Sequence, residues 1–213
     1  MVQIIPAVLA TSQKQYRNDI TNLERAPSLE GGFVHIDFAD NIFVQNQTID
    51  AQTVGEFPTN FHKEAHLMVA KPINWIDRLV EAGFERIIFH IECEDNVEEC
   101  IEYIKNKGLE VGLAINHETS IEKLTPFIDK IDVILIMTIV PGFQGQPFIP
   151  EALEKVKEIK AKYSVRIGVD GHVNSDNAKQ IINSGVDFMV VGSYLLEGDI
   201  EENLENLWEV IND

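Results

Sequence analysis

The sequence predicts an α/β protein, a single (β/α)8 barrel over residues 1–213. Strand-like and helix-like segments alternate along the whole chain, which is the pattern of a parallel sheet with helical crossovers. Eight such units fit within 213 residues, close to the lower size of a closed eightfold barrel. The stretch from Asp132 to Thr138 is an unbroken apolar run, as expected of a strand covered on both faces. An open doubly wound sheet is the alternative. No Gly-x-Gly-x-x-Gly follows the first strand, which weakens a dinucleotide-binding reading.

Taken in order, Gln3 to Leu9 reads as the first strand, and Ser12 can cap a helix reaching about Arg25. Phe33 to Phe38 is the second strand, followed by irregular chain and a short helix from Thr48. Phe61 to Val69 holds the third. Pro72 opens a helix at its first turn, where a missing N–H costs nothing, and Gly83 closes it. Arg86 to His90 is the fourth strand, followed by an acidic helix ending before Gly108. Glu110 to Ile115 is the fifth, with Thr119 or Ser120 capping the next helix. After the sixth strand comes the loop Val140-Pro-Gly-Phe-Gln-Gly-Gln-Pro147, then a helix from Pro150 to Tyr163. Val165 to Val169 is the seventh strand, with a helix over Ser175 to Asn183 closed by Gly185. Asp187 to Val191 is the eighth, and a last amphipathic helix carries Leu204, Leu207 and Ile211.

Composition bounds the function. Of the residues, 45% are hydrophobic and 24% charged, enough for one globular core. No run of 18 apolar residues exists, and Met-Val-Gln-Ile-Ile-Pro is not a secretion signal. A net charge of −18 argues against nucleic acid, whose phosphates need a basic patch. The acid excess reads as solvated helix faces such as Glu92 to Glu102 and Glu197 to Glu205. A small anionic substrate remains compatible, because local N–H groups can outweigh a diffuse charge. Cys93 and Cys100 lack metal-site spacing and read as reduced thiols in or near one surface helix of a cytoplasmic protein.

A barrel places chemistry at the C-terminal strand ends. The second strand ends with His35 and Asp37, which share a face because strand side chains alternate. The third carries His66 and the seventh Asp170. Singly, each suits a core histidine or a helix-capping acid. Together, two imidazoles and two carboxylates at one rim make a site for one divalent metal, Zn²⁺, Fe²⁺ or Mn²⁺, with a position left for substrate. Three glycine-bearing loops suit phosphate: Gly142-Phe143-Gln144-Gly145, Gly171-His172 with Asn174, and Gly192-Ser193. Each is also an ordinary tight turn when read alone.

On Val34-His-Ile-Asp37, His66-Leu-Met-Val69, Val140 to Pro150, Val169-Asp-Gly171 with Asn174, and Val191-Gly-Ser193, the chain resembles the ribulose-phosphate 3-epimerase family nearly end to end. The resemblance implies a TIM barrel holding a divalent metal on His35, Asp37, His66 and Asp170. It implies that Asp37 and Asp170 are the acid/base pair and that Met68 and Met137 line the site. His66, Gly142, Phe143, Gln144, Gly145, Gly171, His172, Gly192 and Ser193 would contact a small phosphorylated sugar. A homo-oligomer is a further expectation, proved by no helix face. Ala7 stands where the family usually has Ser, Ala39 where a third methionine is expected, Asn41 and Gln45 where Gly and Pro are usual, and His172 where a second Gly is usual. These departures alter the substrate wall but leave the metal ligands and both acids. A related barrel lyase would carry Asp-x-Lys-x-x-Asp, whereas Asp37-Phe-Ala-Asp40 has no Lys. A sugar-phosphate binder without catalysis, or with altered specificity, is the other alternative.

Overall fold

The computed structural model describes residues 2–142 and 145–212. Eight parallel strands close in the order β1 to β8: Gln3–Val8, Phe33–Ala39, His62–Met68, Arg86–His90, Glu110–Ile115, Val133–Met137, Arg166–Asp170 and Phe188–Val191. Closure is made by β1 on β8, with Gln3 opposite Phe188 and Ile5 opposite Val190. The architecture is the predicted (β/α)8 barrel. Helices α1 (Gln13–Leu23), α2 (Ala51–Gly55), α3 (Ile76–Glu81), α4 (Val97–Asn106), α5 (Ala152–Lys162), α6 (Ser175–Asn183), α7 (Ser193–Leu196) and α8 (Ile200–Asn212) follow the strands. Among the described residues no helix is long and apolar enough to cross a membrane.

The core lies in two places. Residues such as Val8, Ile36, Leu67, Phe89 and Ile134 point outward from the strands and pack against Leu23, Ile104, Val156 and Ile181 on the helices. A smaller cluster fills the barrel itself, with Ile5, Ile88, Val133, Leu135, Phe188 and Val190 pointing inward. Both faces of each strand are therefore dry, which is why the strands read as continuous apolar runs. At Gly168 the bare backbone makes room for Phe188: a Cβ there would sit 2.1 Å from the ring.

Several helices differ from expectation. Asp50, not Thr48, starts α2, its carboxylate accepting the Thr53 N–H at 2.8 Å. Pro72 opens a 3-10 turn, Pro72–Asn74, before α3 begins. No α-helix follows β5; two 3-10 turns, Ile121–Leu124 and Ile128–Lys130, take its place. Pro126 has no N–H to continue a helical ladder to Glu122, whose carbonyl takes the Thr125 N–H at 3.2 Å instead. Cys100 lies within α4, on its buried face, and Cys93 just before it, both free, as expected of thiols in or near one helix.

Candidate metal centre and active site

Strand alternation brings the four expected ligands to one end of the barrel interior. His35 and Asp37 leave β2 on its inner face, His66 leaves β3 opposite Asp37, and Asp170 ends β7 opposite Met137. One donor atom from each lies within 4.8 Å of the others. His66 Nδ1 is 2.8 Å from Asp37 Oδ1 and 3.5 Å from Asp170 Oδ2. His35 Nε2 is 3.4 Å from Asp37 Oδ1 and 3.9 Å from Asp170 Oδ2.

These separations suit a divalent ion, since donors at bond lengths of about 2.1 Å around a tetrahedral centre stand roughly 3.4 Å apart. The hydrogen bonding agrees. His35 Nδ1 lies 2.6 Å from Glu64 Oε1, while its Nε2 is buried without a hydrogen-bond partner and faces two carboxylates. A lone pair aimed at carboxylates is stable when a cation sits between them. Two nitrogens and two carboxylate oxygens, with no thiolate, form a donor set that Zn²⁺, Fe²⁺ and Mn²⁺ all accept.

The two acids differ electrostatically. Burial alone would raise both. At Asp37 the hydrogen bonds and charges of His35 and His66 outweigh it, holding the carboxyl well below its usual range. At Asp170 burial and the neighbouring Asp37 charge prevail, raising it to about 6 against the pull of the imidazoles. Further out, His66 Nε2 meets His90 Nε2 at 3.0 Å, and His90 Nδ1 meets Glu92 Oε2 at 3.2 Å. Burial lowers His90 to about 4, so its neutral ring accepts from His66 and donates to Glu92.

Above the ligands opens a cleft lined by Ala7, Asp37, Met68, Met137, Gly142, Gly145, Asp170, Gly171, His172, Gly192 and Ser193. The loops after β6, β7 and β8 thus reach one cavity with both acids. His35 and His66 are fully buried beneath it. Phe143 and Gln144 lie outside the described residues. Gly171 turns the chain at φ 127°, where a Cβ would meet Ile139 at 2.6 Å, and His172 follows at φ 54°. Ala39 pairs in register with Met68 but does not line the cleft. Thr138, whose hydroxyl donates toward the Gly171 carbonyl at 2.7 Å, holds the end of β6 to this turn. Sequence reasoning missed Thr138, Glu64 and Arg86. The signal for the last two was a charge of each sign at inward positions on adjacent buried strands.

Residues 3–196 match the ribulose-phosphate 3 epimerase family. The chain belongs to that family. It is 34% identical over 207 residues to ribulose-phosphate 3-epimerase of Chlamydia trachomatis, covering 93% of this chain and 88% of the relative. The Bacillus subtilis protein of the same name is 31% identical, covering 91% of each chain. That of Escherichia coli K12 is 33% identical, covering 91% of this chain and 88% of its own. Solved structures extend the likeness of fold. The 3-hexulose-6-phosphate synthase of Salmonella typhimurium superposes with a TM-score of 0.72 at 14% identity, covering 99% of both chains. KGPDC from Streptococcus mutans does so at 0.72 and 12%, covering 100% of this chain and 98% of its own. This chain thus shares its barrel with proteins of other names, and the fold alone does not fix the chemistry.

Proposed function

We propose that this isomerase inverts C3 of a phosphorylated ketose, D-ribulose 5-phosphate to D-xylulose 5-phosphate or a related pentulose or hexulose phosphate. The supporting observation is the pair Asp37 and Asp170, set on different strands at one mouth and lining one cleft. Inverting a carbon beside a ketone requires one group to take its proton from one face and another to return one from the other face. Two carboxylates on different strands at one mouth are suited to those two roles. Asp37 and Asp170 exchange the roles according to the starting configuration, and the substrate passes through an enediolate. His35, Asp37, His66 and Asp170 would hold one divalent ion. When bound, that ion supplies positive charge against the negative charge developing on the substrate oxygens.

The remaining residues bind and shield. Met68, Met137 and Ala7 give the cleft an apolar wall that keeps water from the reacting carbon. Gly142, Gly145, Gly171, Gly192 and Ser193 let backbone N–H groups approach the phosphate, with His172 beside it or beside the sugar. The placement is cytoplasmic, in line with a relative from rice named the cytoplasmic isoform. The test is solvent-deuterium exchange at C3 across pentulose and hexulose phosphates with Zn²⁺, Fe²⁺ or Mn²⁺ added. Asp37→Asn and Asp170→Asn should each lower exchange by about 10²–10⁴-fold with the fold intact. Full exchange in both variants sinks the mechanism. Tight binding of a ketose phosphate without exchange in the parent would make the chain a binder instead.

A further inference from the structure

We propose that Glu64 and Arg86 are positioning residues that present His35 Nε2 to the metal. This rests on the metal-site reading above. In register, His35 on β2 stands opposite Glu64 on β3, Glu64 opposite Arg86 on β4, and Arg86 opposite Glu110 on β5. One row of polar side chains therefore runs across four strands, one pleat below Asp37 and His66. Arg86 and Glu64 are fully buried, and the guanidinium lies over the Phe33 ring at 4.2 Å.

The row fixes which nitrogen of His35 carries hydrogen. A guanidinium only donates. Arg86 Nη1 donates to Glu64 Oε2 at 2.6 Å, and its Nε and Nη2 donate to Glu110 Oε2 at 2.7 and 2.6 Å. Beside that fixed charge, Glu64 is an acceptor at both oxygens. Its Oε1, 2.6 Å from His35 Nδ1, takes the hydrogen of that nitrogen. With a metal bound, His35 would present the lone pair of Nε2, the atom without a hydrogen-bond partner, between Asp37 and Asp170. Carboxylates behind metal-bound imidazoles fix tautomer and ring orientation in this way.

Stability alone does not account for the row. A buried ion pair adds little over apolar side chains of similar size, because desolvation offsets the attraction. Arg86 and Glu64 sit where such side chains would fill the barrel, and their one connection to the chemistry is His35. The other imidazole is held differently, with the ring of His90 rather than a carboxylate behind its Nε2.

The test measures zinc affinity of the whole chain by competition with a chromophoric chelator, alongside metal-free thermal unfolding. Glu64→Gln should weaken zinc about 10–100-fold. Glu64→Gln with Arg86→Met removes both charges, so unfolding should return toward the parent while zinc stays weak. A folded single or double variant binding zinc within twofold of the parent overturns the positioning role and leaves the metal site standing. A parent that binds no zinc overturns both. A third readout needs no variant. The imidazole ¹H–¹⁵N spectrum of the zinc-loaded parent should place the His35 hydrogen on Nδ1, and a hydrogen on Nε2 overturns the proposal.

Discussion

At the floor of the barrel Arg86 sits between Glu64 and Glu110 and pairs with each, whereas at the mouth Asp37 and Asp170 converge with only imidazoles between them. The two regions are built from the same strands. His35 belongs to both, its Nδ1 on Glu64 and its Nε2 facing the acids. The difference shows how a barrel separates its tasks. Below, every buried polar atom of Glu64 has a partner and the space is filled, with Phe188 against the bare backbone of Gly168. Above, two acids line a cleft, and His35 Nε2 faces them without a hydrogen-bond partner.

If the floor is close-packed, crowding it should be costly. Gly168→Ala places a methyl group into the buried Phe188 ring, and should destabilise by about 3 kcal/mol, lowering Tm by about 6–12 °C. Phe188→Leu in the same chain should recover part of that loss. A Gly168→Ala loss below about 1 kcal/mol would mean that the floor has slack, and the contrast would fail.

The mouth should answer in the opposite sense. Folding raises the Asp170 carboxyl from 3.8 to about 6 in the metal-free protein, so the native state there holds the proton more tightly than the unfolded chain. Its stabilising share is present below pH about 4 and is lost as pH rises through about 6. With metal removed by chelator, Asp170→Asn should therefore gain about 1–2 kcal/mol at pH 7–8, an advantage that disappears below pH about 4. Thermal unfolding across that range reads both ends. A loss of stability at pH 8 would show that Asp170 is satisfied without a cation. The smallest effect belongs to the cleft wall. His172 holds a left-handed backbone at φ 54°, and His172→Gly should gain about 0.5 kcal/mol by denaturant unfolding. A loss above 1 kcal/mol would mean that the imidazole packs against the cleft.

The strands and the convergence of His35, Asp37, His66 and Asp170 were legible because each carries a local signal. Arg86–His90, Glu110–Ile115 and Ser175–Asn183 have the bounds that their alternation and caps predict. His35 and Asp37, two apart on one strand, could be placed on one face without knowing any partner. The floor was not legible. Arg86 and Glu110 each open a strand, where a charge reads as the exposed end, and Glu64 lay hidden beside His66. Only the register of β2, β3 and β4 sets Glu64 between His35 and Arg86. The turns after β5 were misread because Pro126 falls well inside the expected helix, where its missing N–H outweighs the cap at Ser120. Short α7 was missed as well, its four residues being too few to show a helical period.

Glu110, at the far end of that row, is half exposed on the side of the barrel away from the cleft. Its carboxylate faces solvent, so ionic strength and substitution reach it freely, and two ionic contacts and a hydrogen bond link it inward to His35. An engineer thus has an outside adjustment screw on the surroundings of His35, turned from the back of the molecule without narrowing the cleft at the mouth.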